Sequence, residues 1–251
     1  MVGNMFIHKR NLVFIISVLS FQYSFAGHPL RTDDAGTIGK QSFQLELTPE
    51  VWKYSDDNYL FVPLTLTYGI IENADVVLTV LYSSLYNSGF KSDLSGINDI
   101  GLEVKWKVLK LEKFSIAIKP GLILPIGNHA RGLGTGKLGY SLLLIADQEL
   151  SSLMLHFNIG YIRNENRLLE RTDLWFTSLA AEISVEKSLS LVVEIGTCSN
   201  RCKIADGHPA FVLGGAVYSI ADGIDIDIGL QKGLNKHESD LAVLAGLTVL
   251  F

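Results

Sequence analysis

Beyond its N-terminus this chain has no run of about 18 apolar residues, the length a membrane-spanning helix needs. It is also poor in charge. Asp, Glu, Lys and Arg make up 19% of the 251 residues, against 48% apolar residues and a mean hydropathy of +0.28. That is apolar for a water-soluble domain, yet the apolar residues are dispersed rather than gathered into one span. Basic residues form neither a patch nor a stripe, and the net charge is −5, which excludes a nucleic-acid partner on electrostatic grounds. Cysteine is nearly absent. Cys198 and Cys202 have no second thiol pair beside them, and His208 alone does not complete a metal site, so no metal is assigned. The glycine-rich stretch Gly127–Lys137 fails the phosphate-loop pattern, because Arg131 takes the first glycine position and Leu138 follows Lys137. No cofactor and no catalytic residue is assigned; His156 has no evident Ser and acid beside it.

What is present begins with a targeting segment. His8, Lys9 and Arg10 precede a short apolar core, Leu12–Leu19, and Ser24-Phe25-Ala26 forms a small-residue cleavage site. Residues 1–26 therefore read as a signal peptide, with an apolar core too short for an anchor. An exported chain sits where disulfides persist, so Cys198 and Cys202 read as one bridge closing a tight loop. Residues 27–40 have no periodicity and carry Arg31, Asp33 and Asp34. They are expected either to hang in the periplasm or to fold back into a lumen as a plug.

From residue 41 to Phe251 the pattern is alternation. In Ile100-Gly101-Leu102-Glu103-Val104-Lys105-Trp106-Lys107-Val108 every even position is apolar and every odd one is glycine or charged. Side chains of a strand alternate faces, so one face is an apolar band and the other a polar row. The pattern recurs at 41–54, 59–70, 74–86, 100–108, 113–126, 137–149, 152–163, 173–186, 188–198, 208–219, 223–232 and 240–251. Each is near the ~10 residues of a tilted membrane strand. The segment 208–219 is apolar on both faces. Turns of a few residues alternate with longer polar loops at 83–97, 127–136, 164–172, 199–207 and 233–239. Short turns on one side and long loops on the other mark outer-membrane barrels. Aromatic residues near strand ends (Trp52, Tyr54, Tyr59, Tyr68, Tyr82, Tyr86, Tyr140, Tyr161, Trp175 and Tyr218) read as interfacial girdles. Hydrocarbon offers no partner to an open sheet edge, so the sheet must close. The expected fold is all-β: a transmembrane up-and-down antiparallel β-barrel of about twelve strands over 41–251, set in Gram-negative outer-membrane lipid.

The second face of these strands then lines a lumen. Glu46, Asp75, Glu103, Lys105, Lys107, Lys119, His156, Glu182, Glu194, Asp225 and Asp227 are the candidates for permeant selectivity, and Arg31, Asp33 and Asp34 for a plug. Lys105, Lys107 and Lys119 form a basic ladder on one wall, opposite Glu182, Glu194, Asp225 and Asp227. Opposed rows of charge set a transverse field that selects permeants, or pair with each other and fill the bore. Phe251 ends the last strand with an aromatic residue of the kind the barrel-assembly machinery reads.

Several short motifs carry a resemblance. They are Pro29-Leu30-Arg31-Thr32-Asp33-Asp34-Ala35-Gly36-Thr37, Phe43-Gln44-Leu45-Glu46, Pro63-Leu64 with Thr67-Tyr68-Gly69, and Gly101-Leu102-Glu103-Val104-Lys105-Trp106. Lys119-Pro120-Gly121-Leu122 with Leu124-Pro125, Gly132-Leu133-Gly134-Thr135-Gly136 and Asn158-Ile159-Gly160-Tyr161 complete the set. Together they resemble the MetA-pathway of phenol degradation family, proteobacterial outer-membrane proteins often described as transporters. The resemblance covers most of the mature chain and implies a channel for a small organic permeant, aromatic compounds included. The residues alone leave two alternatives: a non-transporting surface barrel acting through its long loops, and an outer-membrane lipid-modifying enzyme. N-terminal sequencing of the protein extracted from outer membranes is expected to begin at Gly27; a chain beginning at Met1 would contradict a cleaved leader.

Overall fold

The computed structural model describes residues 27–54, 57–87 and 94–251, so the signal peptide expected at 1–26 lies outside the described residues. Among the described residues fourteen strand segments follow one another. They are β1 (Phe43–Leu47), β2 (Glu50–Tyr54), β3 (Asp57–Ile71), β4 (Ala74–Asn87), β5 (Ser95–Ile97), β6 (Ile100–Lys110) and β7 (Phe114–Leu124). After a single 3-10 turn at His129–Arg131 come β8 (Gly139–Leu150), β9 (Leu153–Arg163), β10 (Asp173–Glu186), β11 (Leu189–Cys198), β12 (Ala210–Ala221), β13 (Ile224–Gly233) and β14 (Leu241–Leu250).

Two of these segments are halves of a neighbour. β1 and β2 form one stave, interrupted at Thr48-Pro49 because proline has no N–H for the ladder. The ladder still runs through the gap: Thr48 N donates to Pro63 O and Ala245 N to Pro49 O, each at 3.1 Å. β5 and β6 both pair with β4 and are broken only at Asn98-Asp99. Twelve antiparallel staves remain, and β14 pairs with β13 on one side and with β1 and β2 on the other. The barrel is closed. Phe43 and Phe251 exchange backbone hydrogen bonds of 2.9 and 2.8 Å at the seam.

The distribution of side chains is inverted relative to a soluble protein. On β6, Val104 and Trp106 are 40% and 48% exposed, whereas Glu103 and Lys105 are 6% and 4% exposed. The same outward row of Leu, Ile and Val continues round the ring through Leu66, Leu142, Ile159, Val193 and Ile228. Such a surface is stable against acyl chains and not against water. Tyr68, Tyr82, Tyr140, Tyr161, Trp175 and Tyr218 also face outward, near the ends of the band.

Three of the expected girdle residues do not. Trp52 and Tyr59 are 2% and 4% exposed and point into the lumen, and Tyr54 makes ring contacts with both. On β2, Trp52 and Tyr54 share the inward phase of Glu50; on β3, Tyr59 shares that of Phe61. The side chain of Tyr86 lies outside the described residues. The lumen is therefore not watery throughout. At the long-loop end it holds an apolar cluster of Trp52, Tyr59, Phe61, Leu81, Phe211 and Leu213. This also explains why 208–219 is apolar on both faces: one face of β12 meets lipid and the other joins that cluster.

The long loops are tied down. Buried Arg201 reaches Asn164 Oδ1 at 2.9 Å and Glu170 at 3.5 Å, which joins the loop after β9 to the loop after β11. Asp99 accepts from Gly127 N (3.0 Å), Thr135 N (2.7 Å) and Thr135 Oγ1 (2.8 Å), and so holds the glycine-rich loop. The expected Cys198–Cys202 bridge is absent, and both thiols are free. Cys198 ends β11 on its inward phase and lines a lumenal cavity, while Cys202 sits in the following turn, its carbonyl accepting from Arg171 Nε at 3.4 Å.

Val104→Lys, at mid-height on the outward face, is expected to cost about 2–4 kcal/mol in urea unfolding from lipid vesicles. A loss well under about 1 kcal/mol would mean that this face does not meet hydrocarbon.

Candidate functional site

Residues 27–40 run inside the barrel as a strap. Gly27 faces the short-turn end, Leu30 reaches the apolar cluster, and the chain returns to the rim, where Thr37 Oγ1 donates to Glu72 O at 2.9 Å. A strap without strand partners needs donors and acceptors for its backbone. The wall supplies them. Asn158 grips Asp33 twice, accepting from its N–H and donating to its C=O, both at 2.8 Å. Asp147 accepts from Ala35 N at 2.8 Å and Asp75 from Ile38 N at 3.1 Å.

Side-chain charge divides the strap in two. Its basic half meets acids: His28 Nδ1 contacts Asp227, Arg31 N donates to Glu194 Oε2 (2.7 Å), and the Arg31 guanidinium lies 3.5 Å from Glu50. Arg31 Nε also donates to Gln231 Oε1 (2.5 Å), and its guanidinium carbon sits 4.3 Å from the Trp52 ring centroid and 5.5 Å from that of Phe211. Thr32 Oγ1 lies 2.7 Å from Ser178 Oγ and 2.8 Å from Glu194 Oε1. The anionic half meets lysines: Asp33 takes Lys105 at 2.7 Å and Lys119 at 3.0 Å, and Asp34 lies 3.5 Å from Lys105. Lys119 also pairs with Glu103 at 3.2 Å. Buried charges cost free energy unless they are paired, and here Arg31, Asp33 and Asp34 each face an opposite charge.

Glycines cut the seat for the strap. A Cβ on Gly229 would stand 2.7 Å from Pro29 Cβ, and one on Gly246 would stand 2.6 Å from His28 Nδ1. The strap separates two spaces. On the short-turn side is a vestibule of about 800 Å³, lined by Glu46, Asp75, Lys107, Glu182 and Asp225 among others. On the long-loop side is a cavity of about 60 Å³ walled by Trp52, Tyr54, Phe176 and Phe211, with His237 and Glu238 from the loop above. Burial pushes the Glu238 carboxyl above its usual range, against the backbone N–H of Ser239.

Residues 26–251 match the family described as "Putative MetA-pathway of phenol degradation". The chain belongs to that family. Among solved structures it is similar to the COG4313 outer membrane channel from Pseudomonas putida F1, with a TM-score of 0.69 at 13% identity, covering 87% of this chain and 98% of that one. The KdgM porin aligns with a TM-score of 0.56 at 9% identity over 83% of this chain and 99% of that one. The CymD monoaromatic hydrocarbon channel aligns at 0.51 and 10% identity over 84% and 88%. These likenesses are of fold. No curated protein matches the chain.

In this member of the family, the sequence-derived candidates fall into two groups. Glu103, Lys105, Lys119, Glu194, Asp227 and Asp75 gather around the strap, with Arg31, Asp33 and Asp34 as their partners. Glu46, Lys107, Glu182 and Asp225 line the vestibule, which Asp75, Lys105, Lys119 and Asp227 also border. His156 bonds Asp147 through Nδ1 at 2.8 Å and faces the lumen, away from lipid. Sequence reasoning passed over Glu50, Trp52, Asp147, Asn158 and Gln231, which all hold or flank the strap. The alternation marks them: Glu50 and Trp52 share the inward parity of Glu46, Asn158 that of His156, and Gln231 that of Asp227.

Asn158→Leu keeps the branched shape but leaves the buried Asp33 N–H and C=O unpaired, at about 1–3 kcal/mol per group. In a chain with Cys198 and Cys202 changed to Ser and Ala35 to Cys, this substitution is expected to speed thiol labelling from water by at least about tenfold. An unchanged labelling rate would mean that Asn158 does not hold the strap.

Proposed function

We propose that this protein is an outer-membrane channel for small organic solutes, aromatic ones included, and that the strap closes it at mid-height. One arrangement supports the reading: a charged vestibule and an aromatic-walled cavity lie on the same axis, with only the strap between them. An aromatic solute entering from outside meets Trp52, Phe176 and Phe211 first, which bury a ring at little conformational cost. Beyond the strap it meets the charged vestibule, where opposed charges orient a polar substituent. Flow is passive, down the gradient that consumption inside the cell maintains. Transport rather than catalysis fits the position of His156, which sits in the lumen with Asp147 as its partner and has no lipid within reach. The channel and porin folds of the similar structures, one of them a monoaromatic hydrocarbon channel, favour the same reading. Phe251, exposed at the seam, is in this reading the residue that the barrel-assembly machinery takes up.

In planar bilayers the mature protein is expected to show small, brief openings, and the variant lacking residues 27–40 a steady conductance several-fold larger. Cells lacking general porins should grow on monocyclic aromatic compounds faster when they carry the protein. Silence of both proteins in bilayers, together with unchanged growth, would sink the channel reading.

A further inference from the structure

We infer that Lys105 and Lys119 form a carboxylate-binding site on the conduit wall, that Asp33 of the strap occupies it in the closed protein, and that the permeant it takes is a small carboxylate with an apolar body. The inference rests on the channel reading and narrows its permeant.

The site is built before any ligand arrives. β6 and β7 pair with Glu103 opposite Gly121 and Trp106 opposite Ile118, which sets Lys105 beside Lys119 on the inward face. Like charges so placed across two strands repel. Both are removed from water, with side chains 5% and 1% exposed. Asp33 resolves this with one oxygen for each ammonium: Oδ1 to Lys105 at 2.7 Å and Oδ2 to Lys119 at 3.0 Å. Charge-assisted bonds of this kind are the strong ones.

Asp33 belongs to the strap, not to the wall. If the strap withdraws to let a solute pass, the basic wall keeps Lys105, Lys107 and Lys119 against Glu103 and Asp75. Lys119 then keeps Glu103 at 3.2 Å while both ion pairs of Lys105 are lost with the strap, so the two ammoniums are left an anion short. The opposite wall offers Glu50, Glu194 and Asp227, so an anion is held on the lysine side alone. Beside the lysines lies an apolar platform. Lys119 stands opposite Leu143 in the ladder, and Ala35 of the strap packs with Ala117, Leu143 and Ile145, with Phe176 at the edge. Gly160 leaves room for that ring, since a Cβ there would lie 2.2 Å from it. The strap therefore presents a carboxylate and an apolar group together, at Asp33 and Ala35, and a benzoate-like acid presents the same pair in one molecule. A neutral alcohol of the same size lacks the charge, and an amine carries the wrong one.

Calorimetric titration of the detergent-solubilised mature protein with benzoate, benzyl alcohol and benzylamine tests this. Asp33→Asn removes the internal competitor and is expected to tighten benzoate binding by about tenfold or more, leaving benzyl alcohol unchanged. Adding Lys105→Gln and Lys119→Gln to that variant should abolish the benzoate preference. If Asp33→Asn fails to give the heat-modifiable band of a folded barrel, the variant lacking residues 27–40 carries the same comparison. A folded, strap-free or Asp33→Asn protein that binds benzoate and benzyl alcohol alike, or keeps its benzoate preference without the two lysines, overturns the site. That result leaves the channel standing as long as the strap-free protein conducts; a strap-free protein that binds benzoate yet never conducts overturns the channel instead.

Discussion

Hydrocarbon has no hydrogen bonds to offer, and every backbone N–H and C=O that enters it must bring its own partner. The twelve staves satisfy this only as a ring, because any open edge would leave a row of unpaired groups in lipid. Closure through β14 onto β1 and β2 is therefore the condition for the rest. It explains why the interruptions at Thr48-Pro49 and Asn98-Asp99 are bridged by backbone hydrogen bonds rather than left as gaps. It also inverts the usual distribution of side chains, so that Val104 and Trp106 face out while Glu103 and Lys105 face in.

Closing the ring creates a second problem, inside. Charged side chains pointing into a narrow bore are partly stripped of water, and such groups cost free energy unless something of opposite charge meets them. The strap answers this locally. His28 and Arg31 lie against the acids of β2, β11 and β13, and Asp33 and Asp34 lie against the lysines of β6 and β7. Neither wall nor strap is electrically satisfied alone. Removing one residue of a pair leaves a buried charge behind, whereas moving the strap as a whole releases both walls at once to water or to a solute. In the channel reading proposed above, a closing element that is also the charge balance can be opened by whatever supplies that balance in its place.

Much of this was legible along the chain because a strand has a period of two and a lipid-facing barrel keeps it along each stave, apart from irregularities near the short turns. Lys105, Lys119, Glu194 and Asp227 were identifiable as lumenal from parity, and so were a basic and an acidic wall, although each meets the strap rather than the other wall. Parity also contained the strap's remaining partners, Glu50, Asn158 and Gln231, but nothing in the order of residues says which inward side chains a folded-back segment will touch. Trp52, Tyr54 and Tyr59 misled for a related reason. Aromatics near strand ends serve both interface belts and lumenal clusters, and only their phase relative to Glu50 and Phe61 separates the two. The cysteine pair was read by spacing and compartment, which do not encode direction: Cys198 follows the inward phase of β11, and Cys202 falls in the turn beyond it.

The sequence by itself determined the class of the molecule: an exported chain, alternating strands of membrane length, short turns against long loops, and the sign of the charge on each inward face. These are local properties, and local periodicity is what a linear chain can carry. The tertiary structure alone decided that residues 27–40 lie inside the bore, that Asp33 sits between two lysines from different strands, and that an apolar cluster occupies the long-loop end of the lumen. Those facts depend on contacts across the ring between residues far apart in sequence, and they exist only once the sheet has closed.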